Sequence, residues 1–491
     1  MNELSRRKFM TNSAAAIGAA GLQSVLGNSV WARPIGSNGD IRLAVVGLGI
    51  KGKAHLRVLS EIPGHRVVAL CDVDQVRLDE AVADFKQAGQ QVEAYRDYRY
   101  LLDSKEVDAV IIATPNHWHA LQALWACQAG KDIYLEKPVG HDIWEGMRLL
   151  EMEQKYGRII QGGTQNRSNA EFMEALDYLR SGVFGKILWI HGYDWKYRRS
   201  MGRCRGPQQI PSSVDYDLFR GPASVKPLYR SRLHYDWHWF WETGNGDMGN
   251  IAAHVVDNIR MIMGDDRQPK KVMSLGGRFV YDDDGQTPNT HMACLDYGDI
   301  PAFAEIRTIS YKPGVDYVDN VRGARDGVLV QCEDGYVAFG YTSSAYSNDG
   351  NKIKAWSGQG GVKPHMENFL EAVRNQDAGL LNCPLKAGVQ AGELFHMANL
   401  SHRSGLPAKP KKIHDVMDGL AHGEEAVNSM VANLERHDTD LSKDSLTLGS
   451  WMSLEKGGST LNVHSPESEL IAQALFQPRQ YREPFVVPEK I

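Results

Sequence analysis

The sequence predicts an α/β protein: a doubly wound parallel sheet, then a smaller-period α+β domain with a largely antiparallel, open sheet. Three observations carry this. Between Ile41 and about Gln161, short apolar runs alternate with amphipathic stretches, the rhythm of strands and crossover helices. Beyond Gly185 the period falls to two, as in KILWIHGYDWKY. The chain, at 491 residues, is also too long for one average domain.

The elements follow in order. IRLAVVG is a strand, and a helix runs from Lys51 to Glu61. RVVALCD, VDAVIIATP, KDIYLEKP and GRIIQGG are further strands, while QVRLDEAVADFKQ and HALQALWACQAG have helical spacing of apolar residues. More alternating stretches lie between Lys271 and Gly340. The aromatic, Gly-rich HYDWHWFWETGNGDMGN precedes a helix from about Ile251 to Met263. HMENFLEAVRNQ and KAGVQAGELFHMANLSHRS are late helices. The implied domains are 40–165 and 166–405, with the polar, Pro-punctuated 406–491 expected to wrap the surface. No internal repeat is present.

Fifty-five basic against 60 acidic side chains give a formal charge of −5, which argues against a nucleic-acid binder. The six cysteines are scattered singly, without metal-site spacing or the density of a disulfide scaffold, so no metal is expected. The N-terminus is distinctive. Arg6 and Arg7 in SRRKFM precede a weakly apolar stretch from Ala14 to Leu22, too short to span a bilayer, and a processing point follows Ala32. Residues 1–32 therefore read as a twin-arginine signal, with the export machinery as partner and the periplasm as destination. No later segment could cross a membrane.

Gly47, Gly49 and Gly52, with Ile50 and Lys51 among them, form GLGIKG between a strand and a helix. Such glycines allow a tight turn and close backbone approach, so a pyrophosphate can rest on helix N-terminal amides. The second strand ends at Asp72, 72 − 49 = 23 residues beyond the central glycine, where a carboxylate accepts from ribose hydroxyls. Asp74 adds negative charge and no arginine follows directly, so NAD is expected over NADP.

ATPNHWH and LEKPVG then close two strands on the side where ligands bind in an open parallel sheet. With these, residues 41 to about 404 resemble the Gfo/Idh/MocA oxidoreductases, whose N-terminal half is a Rossmann domain. The resemblance implies that Thr114, Pro115, Asn116 and His119 lie along the nicotinamide half of the cofactor. It implies that Glu136 and Lys137 flank nicotinamide and substrate, and that Gln165 and Asn166 approach from the next strand.

Lys137 is the first candidate base: beside a cationic nicotinamide and partly desolvated, its ammonium is disfavoured. The family carries Asp-x-Gly-x-His at the helix walling the second domain's site, with an Asp three residues later. Here NIAAHVVD keeps His254 and Asp257 but places Asn250 where the Asp stands. Neutral Asn250 would not stabilise the ammonium, so proton transfer is expected to depend on Lys137 and His254. Trp237, Trp239 and Trp241 fit a sugar platform, at least one of them packing as core. Arg167, Tyr193, Asp194 and Trp195 are further expected substrate contacts, and the C-terminal sheet is the expected face for a homo-oligomer.

These readings describe an exported oxidoreductase acting on a sugar, glycoside or polyol with tightly bound cofactor. Outside the cytoplasm no NAD pool exists, so the cycle should be redox-neutral. Two alternatives stand beside it: a glycosidase working by oxidation, elimination, hydration and reduction, and a non-catalytic sugar- and NAD-binding protein, which Asn250 would favour.

Overall fold

The computed structural model describes residues 40–491 except 225, 323, 341, 443, 444 and 456; the expected export signal lies outside the described residues. Six strands build the first sheet: β1 (Ile41–Val46), β2 (His65–Cys71), β3 (Glu93–Tyr95), β4 (Ala109–Ile112), β5 (Asp132–Leu135) and β6 (Ile160–Gly162). Their order is β3-β2-β1-β4-β5-β6 and every pairing is parallel. The chain leaves β1 toward β2 and returns to β4 on its other side, so the turns after β1 and β4 diverge and open a crevice. Helices cover both faces, which is why β4 reads as an unbroken apolar run and β1 as one interrupted only by Arg42. Leu43 and Val45 pack on one face, Ala44 and Val46 on the other. β3 is an exposed three-residue edge that no apolar run announces.

The second sheet contains β7 (Ile187–Trp195), β8 (Lys271–Gly277), β9 (Thr290–Asp296), β10 (Pro301–Arg307), β11 (Asp326–Cys332), β12 (Gly335–Phe339), β13 (Ser343–Ser347) and β14 (Lys352–Trp356). It is antiparallel except where β7 runs parallel to β10. One face lies under the helices Ala170–Arg180, Ala252–Met263 and Leu385–Arg403 in a single apolar core. Gly192 of β7 sets the approach of the middle helix, since a Cβ there would stand 2.3 Å from Val255 Cγ1.

The stretch beyond residue 406, expected to wrap the surface, does more than that. It adds β15 (Leu406–Ala408), β16 (Leu446–Leu448), β17 (Met452–Leu454) and β18 (Leu461–Val463) to the second sheet, through β8. Its helices Pro410–Met417 and Gly423–Glu435 cover the outer face of β8 to β10, packing Ile413, Val427 and Met430 on Met273, Met292 and Phe303. Thus much of the face expected to pair with a second copy is buried by the chain itself. Residues 478–491 cross back to the first domain, where Phe485 and Val487 join its core beside Trp118 and Trp125.

Candidate active site

A groove of about 780 Å³ runs past the turns after β1, β2, β4 and β5 and ends against the second domain. At its start, Gly47 takes φ +86°, and a Cβ there would meet Ala113 O at 2.7 Å. A Cβ on Gly52 would stand 1.9 Å from Gly47 O, so only glycine lets the helix Ile50–Ser60 sit this close to the turn. That helix begins at Gly49 with no side-chain cap and no acid in its first turn, which leaves its N-terminal amides open to an anion. Ile50 projects its apolar side chain at the groove, 80% exposed.

Asp72 lines the groove at the tip of β2, its Oδ2 accepting from Leu48 N at 2.7 Å and its Oδ1 from Asp74 N at 2.9 Å. Burial pushes its carboxyl up, against the pull of those two amides. Asp74 is turned away, capping the helix Gln75–Gln87 and meeting His234 at 2.8 Å. Arg77, five residues past Asp72, also lines the groove and would touch a Gly49 Cβ at 3.1 Å, a cation that adjacency in sequence does not expose. These features fit a dinucleotide: a glycine turn no side chain can fill, open amides, an apolar rim and a ribose-facing carboxylate.

The far end holds the reactive groups. Thr114 Oγ1 donates to Gln122 Oε1 at 2.6 Å, and Asn116 Nδ2 to Asn245 Oδ1 at 2.9 Å. The His119 ring bridges Thr114 O and Pro138 O, at 2.8 and 2.6 Å, and so ties the two turns that close β4 and β5. Glu136 is buried. Its own desolvation would raise it, but Lys51 at 3.3 Å and His55 at 2.9 Å hold the carboxyl well below the ordinary carboxylate range. Gln165 donates to Tyr134 and Glu136 behind it, at 3.2 and 3.4 Å, whereas Asn166 is spent on Asn258 at 3.1 Å.

Lys137 Nζ donates to Asn250 O at 2.5 Å and to Asn250 Oδ1 at 3.1 Å. Asn250 Nδ2 donates in turn to Asp247 Oδ1 at 3.0 Å, and Asp247 pairs with Arg198 at 3.1 Å. Burial pushes the Lys137 amine down to about 8, opposed by the carboxylates of Glu136, Asp247 and Asp194. Asp194 itself is pushed up to about 7 by burial and by Asp247 and Asp326. His254, in the first turn of the helix Ala252–Met263, is pushed down to about 3 by burial and the Lys137 charge. It is therefore neutral near pH 7, and it does not line the groove as Lys137 and Asn250 do.

Residues 41–164 match the family described as "Oxidoreductase family, NAD-binding Rossmann fold", and residues 177–440 match its "C-terminal alpha/beta domain". The chain belongs to the Gfo/Idh/MocA oxidoreductase family. Among curated relatives, an inositol 2-dehydrogenase of Salmonella typhimurium is 33% identical over 180 residues, covering 36% of this chain and 52% of that protein. A glycosyl hydrolase family 109 protein of Shewanella putrefaciens is 30% identical over 229 residues, covering 40% and 48%. The chain thus spans about half the length of the curated relatives it matches. The WlbA dehydrogenase of Bordetella pertussis, solved with NADH and UDP-GlcNAcA, superposes with a TM-score of 0.55 at 19% identity, over 75% of this chain and 98% of that one. That likeness is one of fold.

In this Gfo/Idh/MocA chain, several expected substrate contacts lie elsewhere. Tyr193 and Trp195 are odd-numbered on β7 and point to the outer face, packing with Leu329 and Tyr336, while Asp194 faces the helices. Arg167 and Asp257 are paired with each other at 2.8 Å, with Asp265 on the same guanidinium, and line no part of the groove. Trp237 lines the groove, stacked on His238 at 3.6 Å; Trp239 is buried under Arg198; Trp241 lies in a separate cavity. The sequence reading missed Asp247, Arg198, Tyr235 and His238. The (i, i+3) spacing of Asp247 and Asn250 on one short helix was the available signal for the first. No group of three or more His, Cys, Asp or Glu among the described residues is placed to hold a metal ion, and no helix there is long and apolar enough to cross a membrane.

Proposed function

We propose that the chain is an exported, NAD-dependent dehydrogenase that oxidises a secondary hydroxyl of a sugar, glycoside or polyol, giving a 3-keto sugar in the simplest case. Lys137 carries the proposal: an amine at the domain junction, in the groove, at about 8, and held by its neighbours in one orientation. NAD, when bound, supplies a hydride acceptor, gripped through the glycine turn and Asp72. The chain's residues do the rest. Lys137, roughly a tenth neutral at pH 7, takes the hydroxyl proton. Asn250 aims the amine, and Asp247 behind it fixes the amide. Trp237 and His238 give the sugar an aromatic wall beside the lysine.

The names of the inositol 2-dehydrogenase relatives and the UDP-GlcNAcA bound to WlbA support a carbohydrate substrate. Arg6 and Arg7 support twin-arginine export of the folded protein. Outside the cytoplasm turnover has to be redox-neutral, so a second carbonyl compound or an external acceptor takes the electrons back. The test is mass spectrometry of products from a glycoside panel. Loss of two hydrogens, absent with Lys137→Ala, is expected. The family 109 relatives favour one other reading, net glycoside hydrolysis, and the same spectra separate it, because the aglycone would then appear with an unoxidised sugar.

A further inference from the structure

A second cavity, of about 1070 Å³, lies on the other side of the loop 240–245 from the groove, and nothing in the proposed reaction uses it. Arg230 lines it. This arginine is only 4% exposed, and its guanidinium lies between the rings of Phe219 and Phe240, at 5.7 and 5.8 Å. Its Nε donates to Leu233 O at 3.3 Å, its Nη2 has no partner, and no carboxylate pairs with it among the described residues. A buried cation without a counter-ion is costly, and native proteins normally pair it.

The neighbouring acids do not meet that need. Glu242 is already shared by Arg220 at 2.7 Å and Lys226 at 3.4 Å, and Asp284 accepts from Cys204 N at 2.7 Å. Arg403 adds a second cation, set 5.0 Å over the Trp241 ring with no ion pair among the described residues. Two further lining residues also hold buried polar atoms. Asn399 Oδ1, an acceptor, and His141 Nε2 are buried without partners. An acceptor oxygen repels an anion and calls for a hydroxyl donor. The ligand therefore has to present a negative group, hydroxyls and an apolar face for Trp241, Phe240 and Tyr229.

We propose that this cavity is a second binding site, for a carboxylate-bearing carbohydrate whose carboxylate pairs with Arg230 and whose ring lies beside Arg403 and Trp241. Its volume is at the upper end of ordinary ligand sites and admits more than one sugar unit. Besides Arg230, which meets the groove-lining Phe219 and Leu233, Asn245 links the two cavities. Asn245 accepts from Asn116 at its Oδ1, donates to His141 O at 2.9 Å, and its carbonyl accepts from Asn399 at 3.1 Å. The inference does not depend on the groove oxidising a sugar.

The test is calorimetric titration of the full, purified protein with D-glucuronate, D-glucose and inorganic phosphate. Glucuronate is expected to bind, with glucose at least about tenfold weaker. Arg230→Met and Arg403→Ala should each weaken glucuronate about tenfold or more, the usual consequence of removing one partner of a desolvated charge pair. Lys137→Ala should not change it, because the lysine lies in the other cavity. Arg403 is exposed, so Arg403→Ala carries the test if Arg230→Met fails to fold. No glucuronate binding would overturn the proposal, as would binding untouched by the arginine variants. Phosphate binding as tightly as glucuronate would make this an anion site without sugar recognition, and loss of binding in Lys137→Ala would move the glucuronate to the groove; either result also overturns it.

Discussion

Asn250 gives Lys137 an oxygen rather than a full negative charge, and the carboxylate stands one hydrogen bond further back, on Asp247. Two opposite substitutions read this arrangement. Asn250→Asp puts the charge in contact with the ammonium, raises the lysine and should move the pH profile of sugar oxidation to higher pH. Asp247→Asn removes a carboxylate that favours the ammonium and should move the profile lower. Lys137→Ala should cost a hundredfold or more, on the order of a lost general base, with NAD retained. Initial rates of product formation from pH 6 to 10 check all three, and Asp72→Ala, measured by cofactor content after purification, should release NAD. Lys137 was legible because Glu-Lys-Pro closes a strand. The failure of Tyr193 and Trp195 as substrate contacts was not, because which face of β7 meets the site is decided by the helix packed on Gly192, and no pattern of those two residues reveals it.

At the scale of elements, legibility followed length. The helix Gln75–Gln87 matches its apolar spacing residue for residue, and the late helices start within three residues of where the sequence places them. β3, β15, β16, β17 and β18 have three residues each, too few for any period to show; β15, β16 and β17 are ordered by pairing with partners distant in sequence, and β18 by its hairpin with β17. That is why residues 406–491 looked like a wrapping. Their helices should behave as core. Met430→Ala, at a fully buried position on Gly423–Glu435, should lower stability by about 2–5 kcal/mol. Leu470→Ala, 82% exposed on the helix Pro466–Phe476, should stay within about 0.5 kcal/mol. Urea unfolding of the two variants side by side makes the comparison.

Across the whole molecule, burial keeps many histidines neutral. It pushes His65, His238, His365, His396 and His402 down from 6.5 to about 4, and His117 to about 3. The unfolded chain takes up these protons near pH 6.5 and the folded one does not. Their contribution to stability is therefore complete above that pH and is lost as the pH falls toward 4. Thermal melting should be level above neutrality and drop steeply between pH 6.5 and 4. The export expectation belongs to this scale too: Arg6→Lys with Arg7→Lys should hold the full-length precursor in the cytoplasm, as fractionation and blotting would show.

The return of residues 478–491 to the first domain fixes an order of events in time. Arg479 donates to His117 O at 2.7 Å and pairs with Glu145 at 2.8 Å, and Phe485 sits edge-on to Trp118 at 5.4 Å. His117 and Trp118 belong to the turn that carries Asn116, and Arg479 reaches that turn across 362 positions of sequence. A ribosome emits the glycine turn long before it emits this arginine, so the dinucleotide pocket spends most of translation with one wall unbuttressed. A nascent chain stalled before residue 478 should therefore hold the nucleotide poorly, as cofactor content of the stalled complex would show.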